Sequence, residues 1–211
     1  VILIPVPFDA TTSYGRAAAH GPAAIRQASD QLDLFDRLLG SPYKHGIALL
    51  PESVQIVAWN VEASELVDQV RQKSFKDCEK ELQRLHAIGE QLNHWLTEEV
   101  RHWQSKQRIV GVIGGDHSTP FGAMQANLEQ HPDLGILHID AHADLRNAYE
   151  GFTWSHASIM HNVLTRTSVK TLVQVGVRDY SHGEYNFIEQ QQGRVFTHFD
   201  EDICTAKFSG I

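Results

Sequence analysis

The sequence predicts an α/β fold of three layers, with helices on both faces of a mainly parallel sheet. Two observations predict it. From Arg108 onward, short β-branched apolar runs alternate with segments of helical period, which is the signature of βαβ units. The strand runs are also close to continuously apolar, as expected of strands covered on both faces. Length and composition agree: 211 residues, 42% hydrophobic and 21% charged, suit one domain spanning 1–211.

The elements follow in order. Val1 to Val6 reads as a buried strand and Phe8 to Gly21 as a long loop. Gly21-Pro22 opens a helix, with proline in its first turn and Ile25, Ala28 and Leu32 at helical spacing, until Ser41-Pro42 breaks the pattern. Val54 to Trp59 is expected as a short strand. The longest helix is expected from about Phe75 to Gln104. Cys78, Leu82, Leu85, Ile88, Leu92, Trp95 (or Leu96), Val100 and Trp103 form one stripe on it, the pattern of a cover helix. Strands then fall at 108–113, 134–140, 171–177 and 194–199. Helices lie between them at 119–129, 155–164 and 183–192, the first with Thr119 as its N-cap. Asp200-Glu201-Asp202 reads as an acidic loop.

Charge and composition exclude several classes. Eighteen basic against 26 acidic residues leave a net charge of −8 with no basic tract, so nucleic acid is an unfavourable partner. No apolar run approaches the ~20 residues of a membrane span, and the first residues do not resemble a signal peptide. Cys78 and Cys204 lie far apart and in no motif, which fits a cytoplasmic setting. The chain has no starting Met, opens inside an apolar run and stops at Ser209-Gly210-Ile211, and it reads as a piece trimmed at both ends.

Histidine is the feature that points to chemistry. There are 13, eight of them after Gly115. Open parallel sheets bind ligands beyond the carboxyl ends of their strands, and three such ends stand out. Gly114-Gly115-Asp116-His117-Ser118 turns sharply on two glycines and delivers His117 to the sheet's edge, although a turn satisfying its own amides would look the same. In Asp140-Ala141-His142-Ala143-Asp144, alternation puts two carboxylates and one imidazole on one side, and a divalent cation would relieve the repulsion between the carboxylates. Carboxylate and imidazole without thiolate favour Mn over structural Zn, with Fe, Ni or Co as alternatives. His156, after Ser155 at a helix start, suits a proton donor or shuttle, with a capping or packing histidine as the alternative. His138 lies on the ligand face but deeper, as a core histidine or one that supports the ligands. His161 and His198 read as packing residues.

Together these motifs resemble the ureohydrolase family of arginase, agmatinase and formimidoylglutamase. Asp144-Leu-Arg-Asn-Ala-Tyr-Glu-Gly151, Ser155-His-Ala157, Gln174-Val-Gly-Val-Arg178, Pro5-Val-Pro-Phe-Asp9 and Gly21-Pro22 are most similar to the agmatinase branch. The resemblance implies an arginase-like sandwich and two divalent ions, Mn first among them. A hydroxide bridging the ions attacks a guanidinium carbon and releases urea. His117 and Asp144 would bind one ion and His142 the other, Asp140 would bridge both, and His156 would serve the departing amine. It also implies a cytoplasmic homo-oligomer, a trimer or hexamer, with a small guanidino substrate and neither nucleic acid nor membrane as partner.

The family's later S-x-D-x-D-x-x-D-P motif is not in this sequence, so four of six expected ligands are present. Arg146 and Ser181 stand where arginases carry Asn and an acidic residue, which argues against arginine as substrate. Asp179 and Glu184 could face the amine tail of agmatine, or be helix-start residues, while Arg146 would favour a carboxylate tail. Guanidinobutyrate, guanidinopropionate, guanidine and formiminoglutamate are the alternative substrates. A metal-dependent deacetylase of the broader fold keeps one zinc and a different histidine pair, and the two motifs speak against it. A non-catalytic, truncated relative is the remaining alternative.

Overall fold

A computed structural model describes residues 1–73 and 77–209. The chain forms two compact units, Val1–Ala123 and Met124–Ile211. Each carries one three-stranded, wholly parallel sheet.

In the first unit the sheet order is β2-β1-β3, with β1 (Ile2–Val6) between β2 (Ala48–Leu49) and β3 (Val110–Gly114). Ile4 and Val6 of β1 are buried, as the apolar run requires. A 3₁₀ turn, Ala18–His20, leads into α1 (Gly21–Ala28), whose buried residue is Pro22. Ile25 and Leu32, two of the residues at helical spacing, are exposed, and Leu32 lies beyond the end of α1.

The expected strand at Val54–Trp59 is instead the start of a helix, α2 (Val54–Gln72). Its buried residues Ile56, Ala63, Val67 and Val70 repeat in steps of seven, four and three. Over 19 residues that helical period outweighs the β preference of Val54, Ile56 and Val57, because the buried face is only continuous in a helix. The long helix is α3 (Glu79–Ser105), burying Leu85, Ile88, Leu92, Leu96 and Val100 as the stripe predicts. Its expected start at Phe75 lies outside the described residues. A two-pronged Arg84–Glu62 pair, at 2.6 and 2.8 Å, ties α3 to α2, and the guanidinium holds the Glu62 carboxyl below its ordinary range.

The boundary between the units falls within α4 (Phe121–Gln130). The second unit has sheet order β4-β5-β6, with β4 (Ile136–Ile139), β5 (Leu172–Val177) and β6 (Val195–Phe199). A 3₁₀ turn at His156–Ser158 precedes α5 (Ile159–Arg166), and α6 (His182–Gln190) joins β5 to β6. The acidic triplet is a correction: Asp200, Glu201 and Asp202 are the first turn of α7 (Asp200–Ser209). Negative charge is favourable at a helix N-terminus, so the run that looked like a solvated loop is good helix-opening chemistry. No helix among the described residues is long and apolar enough to cross a membrane.

Candidate metal centre

Each of the three strand-end motifs is held by its own unit. After β3, the chain stays locked to the continuation of β1: the Gly115 N–H donates to Val6 O (3.0 Å) and the Asp116 N–H to Phe8 O (2.9 Å). The glycines are needed for space. A Cβ on Gly115 would stand 1.9 Å from Phe8 O, and one on Gly114 would stand 2.3 Å from Thr119 Oγ1. Asp116 is buried and turned into its own turn, accepting from the Ser118 N–H (2.9 Å) and from the Ser118 hydroxyl. His117 follows, half-buried.

The Asp140–Asp144 loop is built by extending the parallel pairing past the end of β4. The Asp140 N–H donates to Val175 O (3.1 Å). A bulge then follows in β5 at Gly176 (φ +90°). Beyond it the Arg178 and Asp179 N–H groups both donate to Ala141 O, at 2.8 and 3.0 Å. Asp144 sits in the left-handed region (φ +53°), unusual for a non-glycine residue and costing on the order of 1 kcal/mol or more. Two helix-start amides stabilise it: Met160 and His161 N–H both donate to Asp144 O, at 3.0 and 3.2 Å.

This loop gathers His138, Asp140 and Asp144, whose donor atoms lie within 4.8 Å of one another. His138 Nε2 is 3.5 Å from Asp140 Oδ2 and 3.9 Å from Asp144 Oδ2. His138 and Asp144 are buried and Asp140 is half-buried. Two carboxylates this close, with an imidazole, form a donor set that suits a divalent cation. His142 is on the outer side, 59% exposed. Its ring lies between Asp140 (Nδ1 to Oδ1, 3.4 Å) and Asp179 (Nε2 to Oδ2, 3.7 Å), and Asp179 is itself 76% exposed.

Of the other site residues, Arg146 and Glu184 line a cleft of about 520 Å³ whose lining starts in sequence at Leu145, whereas His156 and Asp179 are not among its lining residues. Glu184 is buried on its wall. Its Oε1 accepts from the Leu145 N–H (3.0 Å), and its Oε2 accepts from the Ser181 N–H and hydroxyl (2.8 Å each), completing a capping box at the start of α6. Arg146 Nε lies 3.4 Å from Glu184 Oε2, and its guanidinium lies over the Tyr149 ring, 4.9 Å from the centroid. Tyr149 in turn meets His156 edge to face at 5.6 Å. His156 lies in the 3₁₀ turn, before α5 proper begins. His161 packs on Phe187, and burial, with Arg166 adding to it, pulls its pKa below the ordinary 6.5. His198, expected to pack, is exposed on β6.

One group escaped the sequence reading. Gln174 is fully buried in β5, in register with His138 on β4 and Thr197 on β6. Its Nε2 meets His138 Nδ1 (3.0 Å) and Ala143 O (2.8 Å), and its Oε1 accepts from Thr197 Oγ1 (3.0 Å). The available signal was one polar residue, His138 and Gln174, in each of two otherwise apolar strands.

Comparison with known proteins agrees with this picture. The N(1)-aminopropylagmatine ureohydrolase of Thermus thermophilus is 34% identical over 179 residues, covering 84% of this chain and 50% of that protein. The agmatinase of Bacillus anthracis is 25% identical, covering 90% of this chain and 56% of that protein. The chain thus spans about half the length of the curated relatives it matches. Among solved structures, the arginase of Medicago truncatula superposes with a TM-score of 0.73 at 23% identity, over 99% of this chain and 58% of that one. The agmatine ureohydrolase of Thermoplasma volcanium gives 0.70 at 21%, over 99% and 60%. The family model described as Arginase family matches residues 1–205, and the chain belongs to the arginase family.

Proposed function

We propose that the protein is a metal-dependent amidinohydrolase that cleaves a linear guanidino amine of the agmatine type and releases urea. The observation that carries this reading is the convergence of Asp140 and Asp144, one of them buried, with the next residues of the chain, Leu145 and Arg146, lining a cleft. Within the family, that donor set is a reason to expect metal-assisted hydrolysis. Divalent cations held there would polarise the substrate and lower the pKa of a bound water. In this reading there are two ions, Mn the first choice and Ni, Co or Fe the alternatives. Asp140, His142 and Asp144 contribute ligands, and His117 joins them on the strength of its motif. His156 holds the proton that the departing amine needs. The working form is a cytoplasmic homo-oligomer.

The cleft favours an amine tail over a carboxylate tail. The positive charge of Arg146 is offset by Glu184 at 3.4 Å, and Glu150 adds a second acid to the lining. The names of the relatives, N(1)-aminopropylagmatine ureohydrolase and agmatinase, support the same direction. The test is urea release by the Mn-loaded full-length protein across agmatine, N(1)-aminopropylagmatine, guanidinobutyrate and arginine. We expect the two amines to be hydrolysed and arginine refused. Hydrolysis of guanidinobutyrate alone would overturn the tail assignment, and no urea from any of them would overturn the activity. His156→Ala should lower turnover with metal content kept, and an equal loss of both would recast it as a structural residue.

A further inference from the structure

His138 stands beside both carboxylates of the loop and offers two contrary roles. It could bind the cation itself, or donate a hydrogen bond to groups that do. Its hydrogen-bond network distinguishes them.

The network is anchored at Ala143. Its backbone carbonyl can only accept, so the Gln174 atom 2.8 Å away must be the amide nitrogen. Flipping the amide would set two acceptors against each other at that distance. The Thr197 hydroxyl, 3.0 Å from Oε1, can donate as this orientation asks. The amide nitrogen has two hydrogens. One is taken by Ala143 O, and the other points at His138 Nδ1, 3.0 Å away. His138 Nδ1 therefore accepts and carries no proton. In a neutral imidazole the proton is then on Nε2, the atom that faces Asp140 and Asp144. Every partner in the chain is buried or half-buried, and the His138, Gln174 and Thr197 positions are set by strand register, so little freedom is left to reverse it.

We propose that His138 is a positioning residue and not a ligand: a neutral Nε2–H donor, fixed in that tautomer by Gln174, that aims the Asp140 and Asp144 carboxylates for a cation. The role for the cation rests on the metal-dependent reading above, whereas the tautomer does not. Outer partners of ligating groups typically change metal affinity by ~10–100-fold.

The experiment is ¹⁵N NMR of the histidine rings in the full-length protein, with the His138 signals identified by their absence in His138→Gln. The spectrum is recorded without metal and with Zn²⁺ as a diamagnetic probe. The expected result is an unprotonated Nδ1 and a protonated Nε2 in both. A proton on Nδ1 without metal, or loss of the Nε2 proton on adding Zn²⁺, overturns the proposal. In parallel, Mn²⁺ affinity is measured by chelator competition. His138→Leu should weaken it ~10–100-fold, and His138→Gln, which keeps an N–H near the Nε2 position, should stay close to the parent. Equal weakening by both substitutions also overturns the proposal. If the parent takes up neither Zn²⁺ nor Mn²⁺, the metal reading and the aiming role fall together, while the metal-free spectrum still decides the tautomer.

Discussion

The loops after β3 and β4 look alike in sequence, each an apolar strand running into small residues, Asp and His, and in each the first Asp accepts the backbone N–H two residues on, but they differ in what the second carboxylate oxygen meets. In the loop at 114–118 both oxygens of Asp116 are occupied: Oδ1 accepts from the backbone and hydroxyl of Ser118, and Oδ2 from the Thr11 hydroxyl (3.5 Å). In the loop at 140–144, Asp140 Oδ1 likewise accepts from the His142 N–H (2.9 Å), but its other oxygen faces His138 beside Asp144, and the rest of the turn is built by a bulge at Gly176, the carbonyl of Ala141 and the carboxylate of Glu184. A carboxylate that gives one oxygen to its turn still has the other for a ligand, provided no neighbouring donor takes it. An Asp in a strand-end motif is therefore informative about binding only when the turn and its surroundings leave one oxygen over.

The sharpest way to break this contrast is to remove charge from each loop in turn. Asp140→Asn should reduce Mn²⁺ affinity by more than the ~100-fold that an outer partner costs, while leaving metal-free stability unchanged or raised, because a like-charge contact is relieved. Asp116→Ala should do the reverse for stability, losing about 2 kcal/mol as the Ser118 amide loses its buried acceptor. Chelator competition and denaturant unfolding on both variants would show it, and a stability loss for both would erase the distinction.

Next in size is the glycine pair. Gly115→Ala should cost about 3 kcal/mol, because its Cβ would meet backbone at Phe8 that cannot move aside. Gly176→Ala, at φ +90° but with its nearest contact at 3.5 Å, should cost only ~1–2 kcal/mol of backbone strain. Paired unfolding curves separate crowding in the first loop from strain beside the second.

Glu184→Ala should destabilise by about 2 kcal/mol, losing a cap and orphaning the Leu145 and Ser181 amides. Hydrogen exchange should speed up at 140–146 and remain unchanged at 114–118. Exchange rising equally in both would mean that Glu184 supports the fold at large.

The smallest effect is one of pH. Burial lowers the His161 pKa below 6.5, so the folded state binds fewer protons there than the unfolded chain. Its contribution is complete above pH 6.5 and declines as the pH falls through the lowered folded value. His161→Leu should flatten that part of the stability–pH curve, and an unchanged curve would discount the burial.

Much of this was legible in the sequence because it depends on local pattern. The parallel strands, the long α3 stripe and the D-x-H-x-D loop all follow from periods of two and 3.6 and from residue type. The same local reading misjudged two elements. Val54–Trp59 has strand-like residues, but its buried face becomes continuous only when the rest of α2, as far as Val70, is included. The acidic run at 200–202 was charged enough to look like a loop, yet its charge is what a helix start stabilises.

The sequence by itself determined the fold class, the family resemblance and the residues that bring carboxylate and imidazole to the ends of the strands, because spacing along one chain segment decides these. Only the tertiary structure decided what each polar group is spent on. Glu184 became the acceptor of the Leu145 amide, and His142 an outward-facing partner of Asp179, while Gln174 joined His138 to Thr197 across three strands. The reason is physical: a buried polar group takes whichever partner the fold brings within about 3 Å, and for these residues that partner lies on another segment of the chain.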